Sequence, residues 1–106
     1  MDNQLSPIAS IFEEIQLERK RQDGKFGSQP RSLKPVFYLA VLVEELGEVA
    51  RAIIEGDSEN YREEVVQLAA VAVATVEDFD GGQAIGQIET VCPAIQYSTK
   101  VEYTFF

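Results

Sequence analysis

The chain has 106 residues, a net charge of −9, 45% hydrophobic and 25% charged residues, no histidine and one cysteine. That is one globular domain, large enough for a core and small enough to gain from oligomerisation. The charge argues against binding a nucleic-acid polymer, which needs a basic face. The missing histidines argue against a zinc site and a Ser-His-Asp triad.

Several further properties follow from composition. No apolar run approaches the roughly 18 residues of a membrane span, and the opening MDNQLSPIAS does not read as a signal peptide. The single Cys92 cannot form an internal disulfide, so a reducing, cytoplasmic setting is expected. Charge is uneven. Residues 1–36 carry six Lys/Arg against five Asp/Glu, whereas residues 37–106 carry three against thirteen. A basic cluster of Arg19, Lys20, Arg21 and Lys25 thus precedes an acidic middle.

The first element expected is a helix over 7–22, with Ser6 as N-cap, Pro7 at the first helical position, and an apolar face of Ile8, Ile11, Phe12 and Ile15, extended by Leu17. Residues 23–35, with two glycines and two prolines, read as a loop. A second helix is expected over about 36–55. On it Leu39, Leu42, Val43, Leu46, Ala50 and Ile53 form one stripe, with Glu44, Glu45 and Glu48 towards the other side. Gly56 is a C-terminal stop, and Asp57 or Ser58 caps a third helix over about 59–79.

The third helix is apolar on every side from Val65 to Val76, and such a helix must be covered all round. Two partner helices cannot easily do that, so a subunit interface is expected. A central helix within a monomer is the competing reading. Residues 83–106 are expected to form an extension packed on the same domain or on a partner subunit. Within it AIGQIETVC suits a short helix and IQYSTKVEYTFF is strand-like, too short to make a sheet alone.

Chemistry concentrates in two acidic pairs. Glu45 and Glu48 are three apart on the second helix, and Glu64 and Gln67 are three apart on the third. Residues at that spacing are neighbours on a helix face. Antiparallel helices joined by the short EGDSEN turn bring the pairs together as an oxygen-only cluster. Two carboxylates about 4 Å apart repel by around 4 kcal/mol at an effective dielectric of 20, so the cluster needs a cation or protons. All-oxygen donors favour Mg²⁺, with Mn²⁺ as a substitute. Acidic helix faces are more often simply solvated, but Glu64 and Gln67 stand on a helix with no other polar face.

This arrangement resembles the MazG-like, all-α nucleoside triphosphate pyrophosphohydrolases. Their pattern is E-E-x-x-E on one helix and E-x-x-D on the next; here it reads Glu44-Glu45-Leu46-Gly47-Glu48 and Glu64-Val65-Val66-Gln67. The segments ERKRQDGKFGSQ and REEVVQLAAVAVATVEDFD are similar to flanking segments of one branch, and the likeness covers roughly residues 8–80. It implies an all-α helical domain over 1–82, assembled across subunits as a homodimer or homotetramer. It also implies Mg²⁺-dependent hydrolysis of a nucleoside triphosphate to monophosphate and pyrophosphate. Glu45, Glu48 and Glu64, with Gln67, would hold the metal, and Glu44 would orient water. Gln67 stands where the family has aspartate, so one ligand loses its charge; Glu63 or Asp78 is a substitute. Phe26 stands where the branch has tryptophan and is a candidate to stack on the base, with Lys25 and Arg31 as phosphate-neutralising candidates. Each has a structural alternative: a core aromatic and solvated loop cations. Arg51 and Arg62 are candidate partners of the acidic cluster. A non-catalytic binding module on the same fold is the competing function; a di-iron bundle is remote without histidine.

Overall fold

The computed structural model describes residues 5–82 and Ile88. Three helices occupy it: α1 (Pro7–Phe26), α2 (Pro35–Glu55) and α3 (Ser58–Gly81). The all-α class is therefore as expected, and no described helix is long and apolar enough to cross a membrane. The expected extension lies outside the described residues apart from Ile88.

The helix boundaries follow from local chemistry. The Ser6 hydroxyl accepts from the Ala9 N–H ahead of Pro7. α2 ends at Gly56, which adopts the left-handed conformation (φ 69°) that favours glycine, and its N–H donates to the carbonyls of Ala52 and Ile53. Asp57 follows at once and caps α3 by accepting from the Asn60 N–H at 3.1 Å. With only Gly56 and Asp57 between them, α2 and α3 form an antiparallel hairpin.

α3 is the central element. It packs against both α1 and α2, which do not pack on each other. Its buried residues Ala70, Val71 and Ala74 are small, which lets its neighbours approach closely. Coverage is incomplete, because Val65, Val73 and Val76 remain exposed on the single chain.

Three expectations change. α1 runs four residues further than expected, to Phe26, and the loop shrinks to 27–34. Asp23 explains the extension: its carboxylate pairs with Arg19 one turn back, at 2.7 Å, and so supports the turn containing Gly24. On α2 the stripe of Leu39, Val43, Leu46, Ala50 and Ile53 is exposed, and the buried residues are Tyr38, Val49 and Ala52. The acidic side, with half-buried Glu45 and Glu48, shares that inward face. On α1, Ile8, Ile11, Phe12 and Leu17 are likewise exposed, while Arg19 and Gln22 are buried. Among the described residues the larger part of each apolar side is left exposed, and on α1 the polar side packs instead.

The 27–34 loop is built around one carboxylate. Asp78, 3% exposed near the end of α3, accepts from the N–H of Ser32 (2.7 Å), the N–H of Leu33 (3.0 Å) and the hydroxyl of Tyr38 (2.7 Å). Burial works to raise its pKa, but these donors outweigh it and hold the group below the ordinary carboxylate range. The loop, the start of α2 and the end of α3 are thereby joined.

Candidate functional site

Glu45 and Glu48 are half-buried because the α2 face that carries Val49 and Ala52 also carries them. Glu64 stands half-buried on α3, one turn before the small residues begin. Burial raises the pKa of Glu45 first, and the charges of Glu64, Glu44, Glu48 and Glu18 add to it. Glu64 is raised by burial and then by Glu48, Glu63 and Glu18. One oxygen of Glu45, Oε2, is buried and finds no hydrogen-bond partner. An unpartnered anionic oxygen among like charges is a site short of positive charge.

The sequence reading thus meets the structure residue by residue. Glu45, Glu48 and Glu64 come together. Glu44 is exposed beside them on α2. Gln67 is half-buried and lines a groove between α1 and α3, together with Glu63 and Val66. Asp78 is not a substitute ligand, because its oxygens hold the loop and Tyr38 at the far end of the hairpin. Neither Arg51 nor Arg62 is hydrogen-bonded to the cluster, although the charge of Glu48 reaches Arg51. Arg51 pairs with Glu55 at 3.0 Å, and Arg62 with Glu14 at 2.6 Å.

Lys25, Phe26 and Arg31 also come together. The Lys25 Nζ lies 5.1 Å, and the Arg31 Cζ 5.9 Å, from the centroid of the Phe26 ring. That ring is 62% exposed, so it does not plug the core. Both separations fall in the range of cation–π attraction. Arg31, by contrast, is held in place: its side chain is 15% exposed, and it donates to the Gly27 carbonyl (2.7 Å) and the Asp23 carboxylate (3.0 Å).

Glu18 of α1 is not singled out by the sequence, and Arg21 stands there only as one of the basic cluster. Glu18 bears on both Glu45 and Glu64, making the acidic cluster a three-helix feature. Its own pKa is lowered by the guanidinium of Arg21, which it accepts at 2.6 Å. The available signal was the polar run ERKRQ, which leaves α1 no apolar residue between Leu17 and Phe26.

By donor type alone the set suits a hard divalent cation: carboxylates on two helices, one of them with an orphaned oxygen on Glu45. Among the described residues no three such side chains stand at ligand spacing.

No protein-family model, no curated protein and no solved structure matches this chain.

Proposed function

We propose that the chain is a Mg²⁺-dependent nucleoside triphosphate pyrophosphohydrolase, releasing monophosphate and pyrophosphate and serving to clear nucleotides from the pool. The observation that carries this reading is the orphaned Oε2 of Glu45, set among Glu48, Glu64 and Glu18, inside the E-E-x-x-E and E-x-x-Q frame that resembles the MazG-like enzymes. Glu45, Glu48 and Glu64 would hold Mg²⁺, or Mn²⁺ in its place, with Gln67 as a neutral oxygen donor. The metal supplies charge stabilisation to the phosphate oxygens and to the attacking water. Glu44, exposed at the edge, is the carboxylate available to orient that water and take its proton. Phe26 offers an open face for a nucleobase, with Lys25 beside it as a cation for phosphate. The Phe26 group starts two turns beyond Glu18 on α1, about 10 Å along the axis at 1.5 Å per residue, a span that suits a nucleotide.

The same proposal includes self-assembly in the cytoplasm. Leu39, Val43, Leu46 and Ile53 expose one continuous side of α2, and Val73 and Val76 part of α3. Exposed apolar surface of that extent is the mark of an interface, and a homodimer or homotetramer would cover it.

A second reading, a binding module that has lost turnover, is favoured by Gln67, which removes one charge from the ligand set. Pyrophosphate and orthophosphate release separates the two. The enzyme reading expects pyrophosphate from at least one ribo- or deoxyribonucleoside triphosphate with Mg²⁺, abolished by Glu48→Ala and by Glu64→Ala. Nucleotide binding without turnover by the folded protein selects the module, and orthophosphate alone excludes the proposed bond.

A further inference from the structure

The groove between α1 and α3 has a volume of about 470 Å³ and is lined by Glu14, Leu17, Glu18, Arg21, Glu63 and Gln67 among others. It is amphiphilic: Leu17 and Val66 give it an apolar strip, and Arg21 and Arg62 line it together with the carboxylates of Glu14, Glu18 and Glu63. Glu18, which lines the groove, lies near enough to Glu45 and Glu64 for its charge to act on both.

Arg21 occupies the junction. Its Nη2 and Nε donate to the Glu18 carboxylate at 2.6 and 2.9 Å, yet its side chain is 56% exposed. The Glu18 side chain is only 15% exposed, so the pair is open on the arginine side, where the guanidinium can be reached from the groove. Phosphate matches the guanidinium fork at least as well as carboxylate does, and carries more charge. Arg62 also lines the groove, but both its guanidinium nitrogens Nη1 and Nη2 are engaged by Glu14, and the arginines nearer the loop are less accessible. Arg19 is buried among Glu77, Gln22 and Asp23, and Arg31 is held by Asp23 and Gly27.

We propose that Arg21 is a triphosphate-binding residue, resting on Glu18 in the free protein and transferring its fork to substrate phosphate oxygens in the α1–α3 groove. The exchange leaves the Glu18 carboxylate, which lines the same groove, without its guanidinium. This rests on the pyrophosphohydrolase reading and assigns its polyphosphate subsite to a residue outside both motifs.

The test uses inorganic triphosphate, the part common to every nucleoside triphosphate, titrated calorimetrically with Mg²⁺ into the full chain. Nucleotide turnover is measured in parallel. Arg21→Gln is expected to weaken triphosphate binding roughly 10- to 100-fold, the range for loss of a charge-assisted pair. Arg21→Lys, which keeps the charge and loses the fork, falls between. Lys20→Gln removes an adjacent exposed cation that does not line the groove, and stays within about twofold of wild type. Arg21 is exposed, so all variants should melt within a few degrees of wild type. Wild-type turnover with binding and KM unaltered by Arg21→Gln overturns the assignment and leaves the enzyme reading standing. Equal losses in Arg21→Gln and Lys20→Gln also overturn it, because the effect is then one of general charge. Absence of both triphosphate binding and turnover in the wild type removes the two together.

Discussion

Replacing Asp78 by alanine tests whether one buried carboxylate holds the 27–34 loop. Its three donors lie at 2.7, 3.0 and 2.7 Å, two of them backbone N–H groups and one a buried phenol. Hydrogen bonds to a charged acceptor are worth roughly 1.5–3 kcal/mol each, and donors left unsatisfied in the interior cost about 1–3 kcal/mol. Water entering the vacated space offsets part of that, so the expected loss for Asp78→Ala is about 3–5 kcal/mol. A domain of this size has roughly 5–15 kcal/mol in all, so the variant approaches the limit of folding. Asp78→Asn keeps one acceptor oxygen but turns an amide NH₂ towards a donor, and about 2 kcal/mol is expected. Urea unfolding followed by far-UV circular dichroism reads both. A loss below about 1 kcal/mol for Asp78→Ala would refute the reasoning. Asp78→Asn should keep whatever stabilisation Mg²⁺ confers on the wild type; selective loss of that response would return Asp78 to the metal site.

The acidic cluster makes the opposite prediction with pH. Glu45 and Glu64 have folded pKa values above their unfolded ones, so their contribution to stability is fully present below the ordinary carboxylate range and is lost as pH rises through the folded values. Asp78 and Glu18 have lowered values, so their contribution is present above that range and is lost as pH falls through theirs. Metal-free stability should therefore peak near the ordinary carboxylate range, and denaturation midpoints for Glu45→Gln should show a flatter decline towards neutrality. At neutral pH that variant should melt higher than wild type without metal. Wild-type protein should gain roughly 2.7 kcal/mol at 100 times the Kd for Mg²⁺, a gain that Glu45→Gln and Glu64→Gln diminish or abolish. Arg19→Met should cost about 2–3 kcal/mol by removing the buried link to Glu77 and Asp23, measured in the same unfolding assay. Val43→Glu with Leu46→Glu should leave the protein helical and shift it to monomer in sedimentation velocity; an unchanged oligomer would show that another face is used.

The elements most legible in the sequence were those fixed by local chemistry. Ser6-Pro7 and Gly56-Asp57 mark helix ends through their own hydrogen bonds, and the structure uses them so. Glu45, Glu48 and Glu64 were legible because an apolar helix that begins with acid and amide needs a reason. The inward face of α2 was not. Leu39, Val43, Leu46 and Ile53 outweigh Tyr38, Val49 and Ala52 in hydrophobicity, and a wheel ranks faces by hydrophobicity without asking how many partners the chain provides. The extra turn of α1 was hidden because Gly24 signals a break, whereas the support for that turn is an ion pair from Arg19 to Asp23. Glu18, and Arg21 beyond its place in the basic cluster, were missed for a related reason. On α1 they look like ordinary solvated charges, and only docking of α1 on α3 gives them a shared groove.

The two-residue connection between α2 and α3 acts as a length standard. Each residue of helix advances 1.5 Å and turns 100°. Asp57 fixes where α3 begins, and Gly56 fixes where α2 stops. One residue inserted between Ser58 and Glu64 would therefore carry Glu64 about a quarter turn away from Glu45 and Glu48, while Ala70, Val71 and Ala74 compete to keep the packing register. A chain that held the packing would lose the cluster, and one that held the cluster would expose its core. Insertions are thus expected to be excluded from this stretch even though several of its side chains, such as Ser58 and Glu59, face water.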